Sequence, residues 1–469
     1  MKVVFVAAAV LLSQLAASPA LPTQRRESAP NILLIQADDL GYGDLSVYGQ
    51  SRFRTPVLDR LASEGIRFTQ YYAGSTVCAP SRAALMTGLH TGHTWIRGNS
   101  PRVALRPEDV TIAKLLRRAG YRTALIGKWG LGTAGSTGQP DRQGFEYSYG
   151  FLDQTHAHRQ YTTHLWKNGE KIAVDSERDY VNDLFTRETA AFIQRADSRP
   201  FFVHLNYTVP HAELRVPAES LAPFTKTLPD QPFVNEKADA LTDQKTDDVS
   251  LGYRSHPTPH AAFAGMITRM DRDIGTIIEL LKSRGIDRQT LVLFTSDNGP
   301  HREGGADPPF FNSTGGLRGI KRDLYEGGIR VPMVGWWPGT IQAGRTSDQV
   351  WAHWDVLPTL TDVAGVKAPD GLDGLSMAGA LRGEAHAGHE FLYWEFHERG
   401  FQQAVRMGKW KAVRLKQGEA LELYDLETDQ REQHNIAAHH PQVVARIETI
   451  LKSARSESPY WPPNGLDRR

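Results

Sequence analysis

The sequence predicts an α/β protein: a mixed, mostly parallel sheet flanked by helices over residues 31–365, then a smaller antiparallel α+β subdomain over residues 366–469. Two observations predict the first part. Short apolar runs rich in β-branched residues alternate with helix-like segments, and each run is followed within a few residues by polar groups suited to chemistry. A third predicts the second part: after about Gly365, four short strand-like runs follow one another without intervening long helices.

Taken in order, residues 1–20 place Lys2 ahead of an apolar stretch that closes on small residues, with Ser18-Pro19-Ala20 as a cleavage point. The stretch is too short to span a bilayer and reads as a secretory signal peptide, joined by a linker over 21–30. The chain is therefore expected to be exported, periplasmic or secreted, with no stable membrane span. Residues 32–35 form the first buried strand. Thr55-Pro56 opens a helix running to Gly65, with Thr55 placed to cap it and Pro56 suited to its first turn. Residues 110–119 and 258–284 read as helices stopped by Gly120 and Gly285. Strands are expected at 123–126, 201–205 and 291–294, and a polar surface excursion at 230–254. Beyond Gly365, runs at 392–396, 404–407, 409–415 and 421–424 form a meander, followed by a polar helix at 441–454.

The 54 basic and 53 acidic residues leave a net charge of +1, which gives no reason to expect nucleic acid or an anionic membrane as partner. An anionic substrate would have to be drawn by a local cluster. The single cysteine, Cys78, excludes an internal disulfide and must serve packing or chemistry.

The expected strands lead to Asp38-Asp39, Lys128, Pro210-His211 and Asp297-Asn298. In open α/β sheets, sites form at the carboxyl ends of strands. Any one of these would pass for a solvated turn; four suggest a site. Its carboxylates and amide form an all-oxygen set of the kind hard cations prefer, and no His or Cys cluster has structural-zinc spacing. Pro80 suits a helix first turn, which puts Cys78 at the helix N-terminus, where N–H groups favour an anion, and Arg82 one turn along.

Cys78-Ala79-Pro80-Ser81-Arg82, followed by Met86-Thr87-Gly88, resembles the signature of type I sulfatases. The resemblance extends over Asn31 to about His439, through Gly127-Lys128-Trp129, Pro210-His211, Ser296-Asp297-Asn298-Gly299 and the stretch from Lys321 to Gly328. It implies an alkaline-phosphatase-like fold and hydrolysis of sulfate esters. It further implies that a formylglycine-generating enzyme oxidises Cys78 to formylglycine (3-oxoalanine), which reacts through a covalent sulfo-enzyme. Asp38, Asp39, Asp297, Asn298 and modified Cys78 would ligand one calcium ion. Arg82, Lys128 and Lys321 would hold the nucleophile and sulfate oxygens, and His211 would protonate the leaving alcohol.

One position departs from the family pattern. Where many members carry a histidine two residues after the lysine, this chain has Gly130. His156 or His158 is expected to supply that imidazole or to read the substrate. The variant run and the segment from Leu152 to Trp166 are similar to bacterial carbohydrate sulfatases, which points to an exo-acting 4-O-sulfatase on galactose or N-acetylgalactosamine. Glu395 and His397, with Trp394 and Arg399, are expected to complete a sugar pocket. A phosphatase or phosphodiesterase of the same superfamily, or an inactive protein binding sulfated glycans, are the competing readings.

Overall fold

The computed structural model describes residues 29–239, 252–384 and 387–463. The expected signal peptide, most of the linker and half of the 230–254 excursion lie outside them. The main sheet takes β1 (Asn31–Asp38), β2 (Ile66–Tyr72), β3 (Arg122–Lys128), β4 (Tyr147–Phe151), β5 (His164–Lys167), β6 (Glu170–Ala173), β7 (Phe201–Pro210), β8 (Thr290–Ser296), β9 (Arg330–Trp336), β10 (Arg345–Ser347) and β11 (Trp351–Ala352). Their order is β10-β2-β9-β8-β1-β7-β3-β4-β5-β6, with β11 also on β2. The central run β8-β1-β7-β3-β4 is parallel throughout, whereas β9 and the β5–β6 hairpin are antiparallel.

The composition of β1 explains its place. Ile32, Leu33, Leu34 and Ile35 are all fully buried, as expected of a parallel strand covered on both faces. Leu33 and Ile35 pack into the core beneath α4 (Val181–Gln194) and α5 (Pro259–Ser283). Ile32 and Leu34 face the opposite core, with α2 (Cys78–Thr87), α3 (Ile112–Arg118) and α6 (Val356–Val363). Each such side chain contributes roughly 1.5–3 kcal/mol by leaving water. Helix α1 (Pro56–Glu64) begins at the expected Pro56, but Thr55 makes no cap hydrogen bond; the carboxylate of Asp271 on α5 takes Val57 N at 3.0 Å and Leu58 N at 2.8 Å instead.

The second sheet is an antiparallel meander of β12 (Leu392–Phe396), β13 (Gln402–Met407), β14 (Trp410–Arg414) and β15 (Glu422–Asp425). Alternation sends Tyr393, Val405, Ala412 and Leu423 towards α7 (Pro441–Ser453). It sends Trp394, Phe396, Ala404, Val413 and Tyr424 against Val77 and Ala84, at and within α2. The meander thus backs the helix that begins at Cys78. No helix among the described residues is long and apolar enough to cross a membrane.

Candidate functional site: a buried carboxylate–cation cluster around Cys78

Because β8, β1, β7 and β3 are neighbours, the polar residues at their carboxyl ends meet at one edge of the sheet. Helix α2 delivers Cys78 to this edge. All ten of its residues are buried, and Gly88 ends it in the left-handed conformation (φ 73°), returning its N–H to Ala84 O at 3.0 Å. Cys78 is the first helical residue, and the Asn99 side chain takes the otherwise unpaired Ala79 N–H at 2.9 Å. Cys78 is 2% exposed, with Sγ 3.5 Å from Asp38 Oδ1 and 4.0 Å from Asp39 Oδ1. Burial pushes the thiol up, outweighing the pull of Lys128 and Lys321.

Around it, carboxylates and cations alternate. Lys128 Nζ donates to Asp38 Oδ2 at 2.7 Å, and Lys321 Nζ to Asp39 Oδ2 at 2.7 Å. Arg82 grips Asp297 Oδ2 through Nε (3.0 Å) and Nη2 (2.9 Å), and its Nη1 donates to Lys128 O at 3.0 Å. Burial alone would raise Asp38; the Lys128 ammonium, with His211, Arg82 and Lys321, holds it well below the usual carboxylate range. Lys321 is held above its ordinary value because Asp39 outweighs burial. Asp39 adopts a left-handed backbone (φ 63°), sparsely populated except by Gly, Asn and Asp, and its N–H is fixed by Asp297 Oδ1 at 3.0 Å.

The cluster suits a hard cation. Asp38, Asp39 and Asp297 supply oxygens. Asn298 donates Nδ2–H to Asp39 Oδ1 at 2.6 Å, while its own Oδ1 is buried without a hydrogen-bond partner. An orphaned carbonyl oxygen beside three carboxylates is an acceptor awaiting a positive partner. A second group, His90, His93 and Asp373, is close enough to hold a metal. There, however, the groups already satisfy one another: Asp373 accepts His90 N–H at 2.9 Å and bonds His93 Nδ1 at 2.9 Å, and His90 Nδ1 accepts Gly92 N–H at 3.1 Å.

His211 lies 3.4 Å from Asp39 through Nε2. Its Nδ1–H donates to Ala212 O at 2.5 Å, leaving Nε2 as the lone-pair nitrogen turned to the cluster. Burial first, then Lys321 and Lys128, push its pKa well below the ordinary value despite the opposing pull of Asp38. Three groups that the sequence did not single out complete this flank. His301 stacks 5.4 Å from His211 and donates Nε2–H to Pro210 O at 3.2 Å, because its Nδ1 accepts from Glu303 N. Glu303 sits 4.0 Å from His211 Nε2 and binds Arg322 at 2.7 Å and Tyr253 Oη at 3.2 Å. The position of His301 three residues after Asn298 was the available signal for it; Tyr253 had none.

Of the two histidines expected to serve in place of one at 130, His158 lies face to face on His211, with centroids 4.4 Å apart. His156 is packed against Phe151 and His164 and bonds Thr162 at 2.8 Å. Gly130 explains the departure at its own position. Its φ is 79°, and a Cβ there would lie 1.9 Å from Gln154 Nε2. The Gln154 amide fills the space a side chain would enter. Gly130→His is therefore expected to destabilise the protein by about 1–3 kcal/mol, from the left-handed backbone and displacement of Gln154. A thermal melt checks this; an unchanged melting temperature would show that Gln154 moves aside freely.

The expected sugar pocket around Glu395 is corrected. Glu395 is fully buried and receives Arg97 (2.9 Å), Arg455 (2.9 Å), Tyr393 Oη (2.9 Å) and His397 Nε2 (3.0 Å). Trp394 is buried too, its indole N–H on Ala73 O at 2.9 Å. Strand alternation on β12 turns both into packing interfaces, and His397 is tied to Glu395. The cavity that does open beside Lys321 has a volume of about 620 Å³ and includes His301, Glu303, Arg322 and, from the expected set, Arg399.

The sulfatase family model matches residues 30–366, and the model for the N-sulphoglucosamine sulphohydrolase C-terminal region matches 320–457. Human arylsulfatase A is 32% identical, covering 94% of this chain and 90% of its own length. The N-acetylgalactosamine-6-O-sulfatase of Bacteroides thetaiotaomicron is 26% identical, over 91% of this chain and 93% of its own. The crystal structure of Ps i-CgsB in complex with k-i-k-neocarrahexaose superposes with a TM-score of 0.77 at 28% identity, covering 92% of this chain and 95% of that one. With a family model spanning most of the chain, and relatives aligned along nearly all of it, this protein belongs to the sulfatase family of sulfuric ester hydrolases.

Proposed function

We propose that this protein is an exported carbohydrate sulfatase that removes 4-O-sulfate from galactose or N-acetylgalactosamine at chain ends. The observation that carries the reading is the set of three carboxylates interleaved with Arg82, Lys128 and Lys321 around Cys78 at the start of a buried helix. The relatives named for N-acetylgalactosamine and for a neocarrahexaose complex support a carbohydrate sulfate.

Calcium at Asp38, Asp39, Asp297 and Asn298, and formylglycine at position 78, would supply an activated geminal diol as nucleophile. The chain's own residues do the rest. Lys128 and Lys321 present ammoniums to the sulfuryl oxygens, where charge builds in the transition state. Arg82 fixes Asp297 and the α2 end of the site. His211 Nε2, the open ring nitrogen turned to the cluster, would take up a proton and deliver it to the departing alkoxide. His158 and His301 both stack on the His211 ring, at 4.4 and 5.4 Å between centroids, and restrain its plane.

Desulfation across defined galactose and N-acetylgalactosamine 4- and 6-sulfates tests the proposal. Turnover of the 4-sulfates is expected. Turnover of the 6-sulfates alone would overturn the position, and no turnover of any sulfated sugar would overturn the activity.

A further inference from the structure

The 620 Å³ cavity beside Lys321 is lined by four cationic side chains, Arg302, Lys321, Arg322 and Arg399, together with the carboxylates of Glu303 and Asp323. These cations are not equivalent. Lys321 is buried on Asp39 in the reacting cluster. Arg322 is bound by Glu303 at 2.7 Å and by Glu398 at 3.5 Å. Arg399 is 53% exposed, with a single loose contact to Asp323 at 3.4 Å. Arg302 is exposed, and no ion pair holds it among the described residues.

Two weakly committed arginines therefore face a cavity that reaches the cluster at Lys321. A volume of this size accommodates a ligand well beyond one sugar ring, and guanidinium groups match carboxylate and sulfate oxygens in pairs. We propose that Arg302 and Arg399 form a second anion subsite, which makes the preferred substrate a doubly anionic saccharide: the reacting sulfate ester at Lys321, and a carboxylate or second sulfate on the adjoining sugar at the two arginines. This rests on the carbohydrate-sulfatase reading and narrows its substrate class.

The test separates the two claims. Calcium-loaded full-length Cys78→Ala protein is titrated calorimetrically with three disaccharides. Each carries a galactose-type 4-sulfate, joined to a neutral sugar, a uronic acid or a second sulfated sugar. At least one doubly anionic ligand is expected to bind about tenfold more tightly than the neutral-neighbour ligand, with the preference shrinking as salt is raised. Which of the two does so identifies the second anion. Adding Arg302→Gln and Arg399→Gln is expected to bring the ratio of dissociation constants to about one. Equal binding of all three ligands, or a preference that survives the double substitution, would overturn the subsite. Wild-type turnover of the same ligands is read separately. Its failure would strike the catalytic reading and leave the binding preference measured.

Discussion

Replacing Cys78 with alanine is expected to lower sulfate-ester hydrolysis by at least about 10⁴-fold, the scale lost when an enzyme loses its nucleophile, while leaving the fold intact. The substitution deletes one buried sulfur from a helix whose other contacts are untouched, so the structural cost should stay near 1 kcal/mol. Turnover of a sulfated sugar, together with a thermal melt, checks both halves. Residual hydrolysis near the wild-type rate would exclude position 78 as the reacting residue. Peptide mass spectrometry over the same segment of active wild-type protein is expected to show the oxidised residue; full activity with an intact thiol would overturn the formylglycine assignment. Cys78 is 2% exposed, so an enzyme that converted it would have to act before the chain closes over it.

Arg82→Met should be the most damaging substitution to stability in the cluster. It leaves Asp297 buried without its bidentate partner and frees the Lys128 carbonyl. Breaking a buried pair from one side costs roughly 3–5 kcal/mol. Arg82→Lys is expected to recover little, because one ammonium cannot place donors on both Asp297 and the Lys128 carbonyl with the fork's geometry. Denaturant unfolding midpoints measure the effect. A methionine variant within 1 kcal/mol of wild type would mean that Asp297 is protonated or solvated in the native state.

Much of this site was legible in the residues, because parallel strands announce themselves. The run at 32–35 is apolar on both faces, and the charges that break it, Asp38 and Asp39, mark its functional end. The meander was legible for the complementary reason, since its strands alternate. Strand β9 was hidden by Pro332, which ordinarily argues against an inner strand. It is tolerated because β2 shifts register between Phe68 and Tyr71, opposite it. Glu395 misled in the other direction. A glutamate beside tryptophan and histidine reads as a sugar contact, and only the tertiary approach of Arg97 and Arg455 reveals an internal counter-charge. Likewise, no local pattern joins Gln154 to Gly130, 24 positions apart in the sequence.

The alternation of charge around Cys78 has a thermodynamic consequence. Asp38, Asp39 and Asp297 face Arg82, Lys128 and Lys321, all at most 3% exposed, so the cluster by itself sums to zero. A divalent cation entering it brings two uncompensated charges into a region with little water, and an incoming sulfate brings the opposite sign to the same place. Each therefore lowers the cost of the other, and by linkage the coupling has one value seen from either side. Inorganic sulfate should lower the dissociation constant of a metal bound there by the same factor by which the metal lowers that of sulfate. Once the product has left, such a metal would be held at its weakest.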